Sequence, residues 1–156
     1  MKRNTCCFFG HRKINETDTL KAAVYKAVED LIVEKSVATF LFGSKSQFDR
    51  FTYDVVTEIK EKYPHIKRIY VRAEFPIITE QYNAYLLSRY ENTYYPEKIL
   101  GSGRAAYIER NFEMIDKSNY CIVYYEGSGA SARYKSGTKI ALDYAVRRKK
   151  DVMIFG

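Results

Sequence analysis

The sequence predicts an α/β domain: a mostly parallel sheet with helices on both faces. Three observations predict it. Short apolar runs alternate with longer stretches whose apolar residues keep helical spacing. Three of the apolar runs end in Phe-Gly, at Phe9-Gly10, Phe42-Gly43 and Phe155-Gly156. The first two pairs lie about 30 residues apart, the length of one strand–helix–strand unit. Strands joined through helices run parallel and are buried on both faces. The 156 residues fit one domain, 1–156, with no low-complexity segment dividing them.

The elements follow in order. Thr5 to Phe9 is a short buried strand, and a charged loop from Gly10 to Glu16 leaves it. A helix over Thr17 to Lys35 carries Leu20, Val24, Ala27, Val28 and Leu31 at helical spacing. Val37 to Phe42 is the second strand, Gly43 to Ser46 its exit loop. Gln47 to Lys62 is the next helix, stopped by Pro64. Ile66 to Val71 is the third strand. Ile77 to Tyr90 reads as a helix and Thr93 to Tyr95 as a short strand. Ser102 to Lys117 is helical, with Ala106, Phe112 and Ile115 expected in the core. Tyr120 to Tyr125 is a strand, Gly127 to Ser136 a polar glycine-rich loop, Gly137 to Lys150 a helix, and Val152 to Phe155 the last strand.

Composition narrows the function. A formal charge of +7 favours anionic partners. It permits a nucleotide, a nucleic acid or an acidic protein without choosing among them. Cys6, Cys7 and Cys121 all sit in expected strands. Their odd number and the lack of a C-x-x-C spacing argue against a disulfide framework, so they read as free core thiols in a reducing compartment. Adjacent Cys6 and Cys7 should face opposite sides of the sheet. The basic Met1-Lys2-Arg3 precedes an apolar run too short for a signal peptide, and no run reaches membrane-spanning length. A soluble, cytoplasmic protein is expected. The two histidines, His11 and His65, stand apart and no Cys/His cluster accompanies them, so no metal site is expected. No nucleophile elbow is present.

Ligands of parallel sheets bind outside the carboxyl ends of the strands, where the strand order reverses. The loops there concentrate the glycines and polar residues. In Gly10-His11-Arg12 the glycine allows a tight exit, Arg12 can fork onto a phosphate and His11 can donate, accept or titrate. A solvated basic loop is the plain alternative. Gly43-Ser44-Lys45-Ser46 has part of a phosphate-loop composition without the full G-x-x-x-x-G-K-[ST] pattern. Asp49, at the start of the next helix, suits either a ribose hydroxyl or the helix dipole. Arg110 shares a helix face with Met114 and can point at the pocket, although arginines on helices are usually exposed. Gly137-Thr138 opens a helix whose free N–H groups suit an anion, with Ser136 as its cap. Tyr124, Tyr125 and Glu126 close a strand at the rim, where a tyrosine can stack on a base or merely cover the core edge. Arg147 to Lys150 complements a helix C-terminus and reads as a solvated face.

These motifs together resemble the SLOG superfamily of Smf/DprA-like and LOG-like proteins, and within it the YpsA-like branch. The residues carrying the resemblance are Cys7-x-x-Gly10-His11-Arg12, Gly43 to Asp49, Arg110-Asn111-x-x-Met114-x-x-x-Ser118, and Gly137-Thr138. It runs nearly end to end. The resemblance implies a single Rossmann-like domain with a pocket for a nucleotide-derived, phosphate-bearing small molecule such as an ADP-ribose- or NAD-related ligand. Gly10, His11, Arg12, Gly43, Ser44, Asp49, Arg110, Asn111, Gly137 and Thr138 are the expected ligand residues. There are departures. Ser46-Gln47 stands where relatives commonly carry another glycine. The LOG-like phosphoribohydrolases show P-G-G-x-G-T followed by a glutamate, whereas this chain has Arg133-Tyr134-Lys135-Ser136-Gly137-Thr138, then Lys139, Ile140 and Ala141. A binding module is therefore the leading expectation. An N-glycosidase is the alternative, with Arg110 and Glu126 as candidate catalytic groups and Asp143 as another carboxylate. Single-stranded DNA binding, by analogy with the Smf/DprA-like proteins, is the third. Tyrosine-rich apolar faces are compatible with a homo-oligomer.

Overall fold

The computed structural model describes residues 4–127 and 136–156. Most of the glycine-rich loop expected before Gly137, with Arg133, Tyr134 and Lys135, lies outside them, as does the basic Met1-Lys2-Arg3. Six parallel strands form one sheet. In chain order the elements are β1 (Thr5–Gly10), α1 (Asp18–Lys35), β2 (Thr39–Phe42), α2 (Gln47–Lys62), β3 (Lys67–Val71), α3 (Glu80–Arg89), β4 (Asn92–Tyr94), α4 (Arg104–Lys117), β5 (Tyr120–Tyr124), α5 (Gly137–Arg147) and β6 (Asp151–Phe155). The sheet order is β4-β3-β2-β1-β5-β6. Strand order thus reverses between β1 and β5, where Gly10 pairs with Tyr124.

Alternation along β1 builds two cores. Cys6 and Phe8 join Phe40, Phe42 and Ile122 beneath α1 and α2. Cys7 and Phe9 join Leu41, Cys121 and Val123 beneath α4 and α5. The adjacent cysteines do face opposite ways, and all three are buried free thiols. Cys7 and Cys121 are register neighbours, with the Cys7 thiol directed at the Cys121 sulfur at 3.6 Å. Burial on both faces explains why the central strands read as continuous apolar runs. At the β6 edge, Met153 and Ile154 are exposed.

Side-chain caps set the helix starts. Thr17, Ser46, Thr79 and Ser136 each accept an N–H from the first turn of the helix that follows. The Thr79 cap starts α3 later than the apolar pattern predicts, leaving Ile77 in the preceding loop, 89% exposed. One core expectation is corrected. Phe112 is only half-buried and stacks on Tyr144 at 3.9 Å between ring centroids. Met114 takes the buried place on α4, because residues 110, 114 and 118 form the stripe against the sheet: Arg110, Met114 and Ser118 are all buried. Among the described residues no helix is long and apolar enough to cross a membrane.

Candidate functional site

The carboxyl ends of β1, β2 and β3, one side of α4 and the start of α5 enclose a cleft of about 950 Å³. Its position beside the β1/β5 reversal follows from the topology. The expected ligand residues Gly10, His11, Arg12, Gly43, Ser44, Arg110, Asn111, Gly137 and Thr138 line it. Asp49 and Glu126 are outside the lining.

The β1 loop is tied to the end of β5 and to the start of α2. The His11 N–H donates to the Tyr124 carbonyl at 3.3 Å, and its Nε2 accepts the Glu126 N–H at 2.8 Å. A neutral His11 therefore carries its proton on Nδ1. Gln47, at the start of α2, stitches this loop to the next. Its N–H donates to the Arg12 carbonyl at 2.9 Å, and its Oε1 accepts the Ile14 N–H at 2.9 Å. The Arg12 side chain is exposed and makes no hydrogen bond or ion pair among the described residues. Gly10 serves packing: a Cβ there would lie 2.5 Å from the Phe48 ring, which is fully buried.

The β2 loop is built around buried charge. Arg110, 3% exposed, donates from Nη1 to the Gly43 carbonyl and from Nε to Asn111 Oδ1 at 3.0 Å. A Cβ on Gly43 would meet Arg110 Cδ at 2.6 Å and Met114 Sδ at 2.8 Å, so only glycine admits the guanidinium here. Asp49, also 3% exposed, lies beneath the loop rather than in the cleft, with Oδ1 unpartnered among the described residues. Burial pushes its carboxyl up to about 7, against the opposing pull of the Arg110 charge and of hydrogen bonds from Gly43 and Ser44. Burial likewise lowers the Arg110 pKa, opposed by the Asp49 charge. Ser44 and Ser46 hydroxyls are bonded at 2.9 Å, and Ser46 Oγ accepts the Asp49 N–H at 3.1 Å. Lys45 is exposed on the rim, with no side-chain partner among the described residues.

The third wall was not assigned residue roles by sequence reasoning. The Arg72 guanidinium, at the end of β3, donates from Nε to the Phe75 carbonyl at 3.2 Å and from Nη1 to Thr93 Oγ1 at 3.3 Å. It thereby fixes a loop that presents Glu74 and Phe75 to the cleft beside Tyr70, Tyr82 and Tyr107. The Tyr107 hydroxyl donates to Glu74 Oε1, and the Arg110 guanidinium lies 5.6 Å from the Tyr107 ring centroid. Burial, then the neighbouring Tyr82, pushes the Tyr70 phenol up to about 12. Helical spacing was the missed signal: residues 104, 107, 108 and 111 fall on one side of α4, beside Arg110.

Other expected groups lie elsewhere. Glu126 accepts the Tyr124 hydroxyl at 2.8 Å, and Asp143 pairs with Lys139 at 3.0 Å on α5. Tyr124 packs against Phe48 in the core, and His65 is exposed. Arg147 and Arg148 are exposed over the Tyr144 ring.

No family model matches the chain, and no curated protein matches its sequence. A solved structure of DNA processing protein A from Helicobacter pylori is similar, with a TM-score of 0.63 and 16% identity. The likeness covers 98% of this chain but 65% of that one, so this chain spans less than two thirds of that protein's length. That protein is described as having a single-stranded DNA binding mode. What the two chains share is the fold.

Proposed function

We propose that this domain is a binding module for a nucleotide-derived, phosphate-bearing small molecule held in the rim cleft. Arg12 and Lys45 would meet the phosphate, together with the N–H groups of Gly137 and Thr138 at the start of α5. Asn111 faces the same space. Arg110 and Asp49 act from below, as the frame of the β2 loop. The observation that carries this reading is the convergence of residues from four separate segments on one cleft that offers exposed cations and a helix N-terminus. Membership of the SLOG superfamily belongs to the proposal, supported by the sequence motifs and the fold likeness. The YpsA-like branch rests on the motifs alone. A reducing, cytoplasmic setting is supported by the three buried free thiols.

Calorimetry with ADP-ribose, NAD, AMP and cyclic nucleotides tests the reading. At least one is expected to bind wild type, and Arg12→Ala and Gly137→Asp are each expected to weaken it. No binding by any of them sinks the reading.

Single-stranded DNA is a second reading, favoured by the fold likeness to a protein with that property and by the charge of +7. It predicts a mobility shift with an oligonucleotide that weakens steeply with salt. Absence of a shift at low salt removes it.

A further inference from the structure

The two ends of the cleft differ in the groups they offer. Arg12 and Lys45 stand on the loops after β1 and β2, and the N-terminus of α5 opens on the same space. Glu74 stands on the loop after β3, on the far side. Two strand spacings separate the β1 and β3 ends, about 10 Å. The first end offers exposed cations and a helix N-terminus to an anion, whereas at the second Glu74 stands beside Arg72 and Arg104. The second end carries the aromatic groups: Tyr70, Phe75, Tyr82 and Tyr107. Phe75 is 54% exposed, a large apolar ring held open to the cleft by a loop that Arg72 fixes through its guanidinium.

We propose that this corner is a nucleobase subsite, in which Phe75 and the tyrosines stack on the base and Glu74 reads its hydrogen-bonding edge. The inference rests on the nucleotide reading and deepens it. An ionised carboxylate only accepts hydrogen bonds. Glu74 Oε1 takes the Tyr107 hydroxyl, which orients the group and leaves Oε2 open among the described residues. Guanine offers adjacent N1–H and 2-amino donors to such a carboxylate. Adenine and cytosine each offer one amino group beside a ring acceptor. Uracil offers one N–H flanked by two carbonyls, whose oxygens oppose the carboxylate. The cleft therefore holds its ligand with phosphate at the Arg12 end and base at the Glu74 end, and ranks bases by donor count. Stacking is base-tolerant, so Phe75 adds affinity without changing the ranking.

Calorimetric affinities for GDP, ADP, CDP and UDP on wild type, Glu74→Gln, Phe75→Ala and Arg12→Ala test this. Both Glu74 and Phe75 are exposed loop residues, so their variants keep the fold. Wild type is expected to bind GDP tightest and UDP weakest, by about tenfold or more. Glu74→Gln is expected to compress the series to within about threefold. Phe75→Ala weakens all four by a similar factor, and so does Arg12→Ala with the order kept. Unranked binding, or a ranking that survives Glu74→Gln, overturns the subsite and leaves the phosphate reading standing. Failure of all four diphosphates and of ADP-ribose overturns both. Homo-oligonucleotides of the same four bases, run alongside, separate the sources. The same ranking with tighter oligonucleotide binding assigns the subsite to single-stranded DNA, and tighter diphosphate binding assigns it to a free nucleotide.

Discussion

Gly10 and Gly43 occupy equivalent places: each follows a phenylalanine at the end of a buried strand and opens a polar loop. Their surroundings differ. At Gly10 the missing Cβ admits the Phe48 ring, an apolar contact inside the α1–α2 core. At Gly43 it admits the Arg110 side chain, a buried cation bonded to the Gly43 carbonyl. One turn is fixed by hydrophobic packing and the other by charge. The same dipeptide signal thus marks two kinds of support for one rim, and only the second carries charge into the wall of the cleft.

The largest test of that contrast is Arg110→Ala. It strips the Gly43 carbonyl of its donor and leaves Asp49 buried without its cationic neighbour. Urea denaturation is expected to show a loss of about 3 kcal/mol, with nucleotide binding abolished. The glycines come next. Gly43→Ala and Gly10→Ala are each expected to cost about 2 kcal/mol by overpacking. They should part company in calorimetry. Gly43→Ala displaces the guanidinium and loses ADP-ribose binding, whereas Gly10→Ala keeps its affinity within about threefold. Equal losses of binding in both would erase the distinction.

Asp49 gives a pH signature to the charged side. Its folded pKa of about 7 stands above the ordinary carboxylate value of 3.8. The folded state therefore holds this proton more tightly than the unfolded state. The stabilisation is complete below about pH 4 and is lost as pH rises through about 7. Relative to Asp49→Asn, wild type should lose on the order of 1–2 kcal/mol between pH 5 and pH 7. Parallel pH profiles of the two proteins would contradict this. The smallest effect belongs to Gln47→Ala, which unstitches the two loops. About 1 kcal/mol is expected from the lost side-chain bond to Ile14, visible as faster hydrogen exchange at Ile14.

Much of the fold was legible because the central strands β1, β2 and β5 are buried on both faces and four of the five described helices start at a side-chain cap. Thr5 to Phe9 and Tyr120 to Tyr125 read directly from apolar continuity, each within one residue of the strand observed. The strand-end loops were legible as a rim from their glycines. What Gly10 and Gly43 are for was not. A glycine signals close approach without naming what approaches, and Phe48 and Arg110 come from different distances along the chain. Asp49 was left between two readings for a related reason: helix position alone does not say whether a carboxylate faces a ligand or lies under a loop. The aromatic wall was missed because Tyr70, Phe75, Tyr82 and Tyr107 come from three separate segments of a tyrosine-rich chain. Only the packing of the β3 end, α3 and α4 around one rim brings them to one mouth.

Backbone amide shifts during an ADP-ribose titration test the central claim most directly. The account predicts saturable shifts at Ser44, Lys45, Gly137 and Thr138, with the β6 edge around Met153 and Ile154 unmoved. Shifts confined to that edge, or none at the cleft, would contradict it.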